Sequence, residues 1–167
     1  MRRLRHRAAP LKERFDRLDE ACEVVIALLT KETTTFQGRH YQLTEARCEP
    51  KPVQRPHPPL CIGGGGERRT LRTVARFAQH WNVPGGGVDV YHHKLEVLAG
   101  HCADIGRDPS EILTSTHLRY EGDLAKLADE AAQWSEAGLG LAIVVLQPPH
   151  TSEVLEPIAE ALRALVG

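Results

Sequence analysis

The residues with the clearest chemical use are Gly63, Gly64, Gly65 and Gly66, reached through Pro58-Pro59-Leu60-Cys61-Ile62 and followed by Glu67-Arg68-Arg69. Four glycines in a row suit no regular element, because glycine loses the most backbone freedom on folding. They fit where the chain must turn tightly or lie close against a ligand. A short strand, a glycine loop and a helix start together present free N–H groups and a positive dipole end, which suits an anion such as a phosphate. The alternative is a tight strand-to-helix turn with no ligand. A second cluster, Pro84-Gly85-Gly86-Gly87, follows Trp81-Asn82-Val83.

Competing motifs fail on spacing. No Gly-Lys-Ser/Thr follows Gly66, so this is no Walker loop, and Arg68 stands where a dinucleotide fingerprint needs its last small residue. His92, His93, Glu96, His101 and Cys102 share one helix, but no further ligand sits at a recognised metal spacing, so no metal is expected. Ser115, Thr116 and His117 occupy one strand, where successive side chains alternate, and form no ready nucleophile–base pair. His80 and His117 are the nearest candidates for a general acid or base, though each has a structural role as its alternative, and no catalytic residue is assigned.

The elements that must position these residues are legible from periodicity. Phe15, Leu18, Cys22, Val25 and Leu29 recur at helical spacing and predict a helix from Leu11 to Thr30. Thr33 to Leu43 is β-branched and polar, with Gly38-Arg39 as a hairpin turn. Pro50, Pro52, Pro56, Pro58 and Pro59 mark an extended connector. After the glycine loop, a helix through Leu71, Val74 and Ala78 ends near His80, and Trp81-Asn82-Val83 is a strand. A helix through Tyr91, Leu98, Cys102 and Ile105 stops at Gly106, and Asp108-Pro109 caps a brief helical turn. Ile112 to Tyr120 is a strand, and Leu124 to Ala137 a helix closed by Gly138. The apolar run Leu141 to Leu146 predicts a strand buried on both faces. Thr151 or Ser152 caps a last helix carrying Leu155, Ile158, Leu162 and Leu165. Regular βα alternation predicts an α/β fold with a parallel sheet and right-handed crossovers, which brings the two glycine clusters to one end.

Composition bounds the rest. The chain has 167 residues, 41% apolar and 26% charged, with a net charge of −1. That is the composition of a soluble globular domain, with no electrostatic case for nucleic acid or a membrane surface and no stretch long enough to span a bilayer. Arg2, Arg3, Arg5 and Arg7 precede no apolar segment, so residues 1–10 read as a loose basic start rather than a secretory signal. Cys22, Cys48, Cys61 and Cys102 form no C-x-x-C pair and read as reduced, mostly buried thiols of a cytoplasmic protein.

Several stretches carry a resemblance. Arg14-Phe15-Asp16-Arg17-Leu18-Asp19-Glu20-Ala21 is followed by Thr35-Phe36-Gln37-Gly38-Arg39-His40-Tyr41, then by Pro50-Lys51-Pro52-Val53-Gln54-Arg55-Pro56 and the glycine loop. Glu67-Arg68-Arg69-Thr70-Leu71 and Trp81-Asn82 complete the pattern. The chain resembles the luciferase-like monooxygenase superfamily, in particular its deazaflavin (coenzyme F420)-dependent oxidoreductases. It departs from them at Cys61, where relatives usually carry an aromatic, and at Gln79-His80, where they commonly read Asp-Gly. The resemblance implies the C-terminal half of a (β/α)8 TIM barrel: about four parallel βα units over 11–167, with an N-terminal helix and residues 33–59 as an insertion hairpin and connector. It implies that Gly63, Gly64, Gly65, Gly66, Asn82, Pro84, Gly85 and Gly86 line coenzyme F420, or alternatively FMN. Hydride transfer or monooxygenation of a small organic substrate would follow. A catalytically inactive cofactor-binding half, or a fragment needing a missing N-terminal half, are the alternatives. Half a barrel leaves two strand edges unpaired, so a homodimer or a complementing half is expected.

Overall fold

A computed structural model describes residues 9–163 and divides the chain into two units, up to Pro59 and from Leu60 onward. The basic stretch through Arg7 and the position of Leu165 lie outside the described residues.

In the first unit a helix α1 (Leu11–Thr30) precedes an antiparallel hairpin of β1 (Thr34–Gln37) and β2 (Gln42–Ala46). The Glu20 carboxylate takes three backbone N–H groups of the hairpin turn, from Arg39 (3.0 Å), His40 (2.8 Å) and Tyr41 (3.1 Å). A Cβ at Gly38 would press on the Glu20 carboxylate and the Phe36 ring. This contact sets which face of α1 meets the hairpin. Val24, one turn beyond Glu20, is buried, while Val25 is 42% exposed, which corrects the apolar stripe by one residue. In the proline-rich connector, Lys51 Nζ donates to the carbonyls of Leu28 and Cys48, both at 2.9 Å.

The second unit alternates strand and helix: β3 (Cys61–Gly63), α2 (Thr70–Phe77), β4 (His80–Asn82), α3 (Gly87–Ala103), β5 (Leu113–Arg119), α4 (Leu124–Glu136), β6 (Leu141–Val145) and α5 (Ser152–Arg163). A single 3₁₀ turn, Pro109–Glu111, precedes β5, capped by Asp108, whose side chain accepts from Ser110 N. The four strands pair in chain order β3-β4-β5-β6, all parallel. In-order parallel winding is that of a barrel segment and has no switch point in strand order. Asp123 caps α4 at its start, and Gly138 (φ +82) ends it as expected.

Strand alternation splits the sheet into two faces. Ile62, Trp81, Thr114, Thr116 and Leu118 are buried on one. There Trp81 stacks on Tyr91 of α3 (centroids 6.3 Å apart) and Tyr91 meets Trp134 of α4 edge-on (5.5 Å). The Tyr91 hydroxyl and Thr114 Oγ1 pair at 2.9 Å inside this layer. Arg107 closes α2 by donating to the carbonyls of Ala75 (2.8 Å) and Ala78 (2.7 Å).

The other face carries Cys61, Gly63, His80, Asn82, Leu113, Ser115, His117 and Arg119, and apart from Ser115 these are exposed or half-buried. Two expectations are corrected, one on this sheet and one for the cysteines. No residue of β6 is buried, and Leu141 is 41% exposed. The strand has a neighbour on one side only, so its apolar sequence outruns the cover it receives. The cysteines are all free, but only Cys22 and Cys102 are buried; Cys48 is half-buried and Cys61 lies exposed at the start of β3.

Candidate functional site

Because the strands are parallel, the loops leaving β3 and β4 emerge at the same end of the sheet. Gly63 pairs in register with Asn82, and Gly64 N donates to the Asn82 carbonyl at 3.2 Å. A Cβ on Gly65 would stand 3.1 Å from Pro84 Cγ, so the loops touch where only glycine fits without displacement. Gly63, Gly64, Gly65, Gly66, Asn82, Pro84 and Gly85 thus form one continuous rim. Gly86 follows with φ +105 as the residue before α3, whose first turn has no side-chain cap.

The hydrogen bonds of the glycine loop are one-sided. The Gly64 carbonyl accepts from the Trp81 indole Nε1 (2.9 Å), that of Gly65 from Lys94 Nζ (2.7 Å), that of Gly66 from Leu71 N (3.0 Å) and that of Glu67 from His101 Nε2 (2.7 Å). Among the described residues, the N–H groups of Gly65, Gly66, Glu67 and Arg68 have no partner. Gly66, Glu67 and Arg68 are exposed, so these amides face water, and a row of free amides at a loop entering a helix has the geometry to accept an anion. Arg68 is exposed and makes no ion pair among the described residues. Gly64 has φ +124, a conformation open to glycine and costly for any other residue.

The carbonyl-binding side chains were not legible in the sequence. Lys94, His93 and His101 lie on α3, the helix whose histidines the sequence excludes only as metal ligands. Lys94 Nζ also reaches Glu67 Oε1 (3.1 Å), with His93 Nε2 at 3.3 Å from the same oxygen. The hydrogen bond and then the charge of Lys94 hold the Glu67 carboxyl below the usual range. The available signal is the seven-residue spacing of Lys94 and His101, two helical turns, which puts both on one face of α3.

On the open face, Ser115 Oγ lies 2.6 Å from His80 Nε2 and accepts from Asn82 Nδ2 at 2.9 Å. The serine therefore does pair with a histidine, but across strands rather than along its own. Asn82 Oδ1 lies 3.9 Å from the point a Gly63 Cβ would occupy, so it looks across the glycine. His117 lies on the same face, exposed, one strand step beyond Ser115 toward the glycine rim, and has no partner among the described residues. Partial desolvation of the sulfur pushes the Cys61 thiol up from its ordinary value, although the residue as a whole is exposed. No helix among the described residues is long and apolar enough to cross a membrane.

The model of the family described as luciferase-like monooxygenase matches residues 2–144. The FMNH2-dependent dimethylsulfone monooxygenase of Pseudomonas putida is 27% identical over 135 residues, covering 77% of this chain and 37% of that protein. The F420-dependent glucose-6-phosphate dehydrogenase of Amycolatopsis mediterranei is 27% identical over 159 residues, covering 90% and 45%. Among solved structures, the coenzyme F420-dependent tetrahydromethanopterin reductase from Methanopyrus kandleri superposes with a TM-score of 0.76 at 12% identity, covering 92% of this chain and 64% of that one. The chain spans less than half the length of the curated relatives it matches.

Proposed function

This chain belongs to the luciferase-like monooxygenase family, and on that premise we propose that its glycine rim holds the phosphate of a flavin-type coenzyme. Coenzyme F420 is our first choice and FMN the alternative; relatives with either dependence match the chain. The observation that carries this reading is the one-sided loop, with four carbonyls engaged and four amides free. The group fits: the amides of Gly65 to Arg68 would hold the phosphate, Gly85 and Gly86 would flank it, and Arg68 would add charge. Gly63, with no side chain, would let the ring edge approach Asn82, whose Nδ2 is spent on Ser115 and whose Oδ1 remains to accept.

Such a coenzyme, when bound, supplies the hydride or oxygen chemistry, and the protein supplies binding and orientation. Reaction class is therefore oxidoreduction of a small organic substrate. His117 is placed to hold a proton near that rim; His80 is already engaged with Ser115. The free cysteines fit a cytoplasmic setting.

A second reading is favoured by one observation, the open sheet face bordered by the uncovered β6. On this reading the chain binds coenzyme without turnover until another copy or a complementing N-terminal half closes the barrel. Titrating the purified chain with F420 and FMN, followed by absorbance and fluorescence, tests the binding claim; failure of both to bind at millimolar concentration contradicts it. Turnover of bound coenzyme with candidate substrates then separates the active enzyme from the inactive half.

A further inference from the structure

We infer that Lys94 is a positioning residue of the glycine loop, spending its ammonium on the Gly65 carbonyl so that the amide row faces outward to an anion. The inference rests on the phosphate reading of the loop given above.

In a trans peptide unit the carbonyl of one residue and the N–H of the next point in opposite directions. Lys94 draws the Gly65 carbonyl toward α3 and so turns the Gly66 N–H away from it. His101 does the same for Glu67 and Arg68, and the Trp81 indole for Gly64 and Gly65. The amides turned away are three of the four that lack partners. Four consecutive glycines impose little order of their own, so the donors of α3 and β4 must supply it.

Of these donors, Lys94 is the one that carries a fixed charge, and its contact, like that of His101, is 2.7 Å. Its side chain is only 15% exposed, and its Cε lies 3.1 Å from where a Gly65 Cβ would stand. Its second contact, the Glu67 carboxylate, is 45% exposed. Exposed ion pairs contribute little, so the salt bridge does not account for withdrawing the ammonium from water. The carbonyl contact does, since hydrogen bonds to a charged donor are stronger than neutral ones.

The test uses the full chain, ¹⁵N-labelled, with inorganic phosphate as the probe. In Lys94→Met the backbone order parameters of Gly65 and Gly66 should fall from the rigid range to below about 0.6, and phosphate affinity should drop about tenfold or more, equivalent to about 1.4 kcal/mol. Glu67→Gln removes the ion pair but leaves the carbonyl contact; it should keep the order parameters of Gly65 and Gly66 in the rigid range. Lys94→Arg, which keeps charge and donors, should retain the order even if Lys94→Met proves too unstable to measure. Unchanged order at Gly65 and Gly66 in Lys94→Met overturns the inference, as does an equal loss in Glu67→Gln. If Lys94→Met disorders the loop while the unmodified chain ignores phosphate, positioning stands and the phosphate reading falls.

Discussion

Replacing Trp81 with phenylalanine removes one donor from beneath the glycine loop while keeping an aromatic ring in the core. Trp81 is fully buried, its Nε1 donates to the Gly64 carbonyl at 2.9 Å, and its ring stacks on Tyr91. Two costs follow. The Gly64 carbonyl loses its partner, at about 1–2 kcal/mol because the loop is half-buried rather than sealed. The smaller ring leaves a void beside Tyr91, at about 1–2 kcal/mol for a neighbourhood that relaxes only partly. The sum is about 3 kcal/mol, and at 4–8 °C per kcal/mol for a unit of roughly this size the midpoint falls by about 12–24 °C. Thermal unfolding followed by far-UV circular dichroism reads the midpoint. Amide spectra of the same variant should show Gly64, Gly65 and Gly66 displaced, because the first pinned peptide plane is released. A midpoint within about 3 °C of the unmodified chain, with those three resonances unmoved, would refute the view that the indole supports the loop.

Further outcomes follow from the same structure. Gly64→Ala forces an L side chain into φ +124 and sets its methyl 3.1 Å from Thr70 Cγ2; urea unfolding should show a loss of about 1–3 kcal/mol, and a variant as stable as the original would mean the loop adopts another conformation. The Glu20 carboxyl is held below its usual range: burial opposes its ionisation, but the N–H groups of His40, Tyr41 and Arg39 outweigh that. Its contribution is therefore complete above the unfolded-state value and lost as acid titrates through the lower folded value. Amide exchange at residues 39–41 should accelerate over that window, and Glu20→Gln should remove the pH dependence. Light scattering on the eluting chain should report a dimer or larger species if the open face is covered by a second copy, and Ile143→Asp on that face should dissociate it; a monodisperse monomer counts against self-association.

The fold was legible where local chemistry and packing agree. The bounds of α1, the Asp108 cap, the Gly138 terminator and the parallel order of strands all follow from period, capping and alternation. Joining the glycine clusters needed only parallel topology. What sequence could not supply was cross-element pairing. Lys94 sits 29 residues from Gly65, and Ser115 sits 35 from His80. No periodicity links such positions, and a helix lysine or histidine has the same composition signature whether it faces water or a loop. β6 failed for the opposite reason: its apolar run describes the neighbours the strand is built for, whereas its burial depends on the neighbours it has. Val25 is exposed because the polar Glu20 fixes the rotation of α1 through its hairpin contact, which apolar spacing alone does not report.

The proposed function rests on the amides of Gly65 to Arg68 binding a coenzyme's phosphate. The most direct test is a paired amide-shift titration of the labelled chain with FMN and with riboflavin, which share a ring and differ in that phosphate. Saturable shifts are expected at residues 65–68 and 85–88 with FMN, and that cluster of shifts should vanish with riboflavin. Indistinguishable patterns from the two, or shifts confined to the opposite end of the strands, would contradict it.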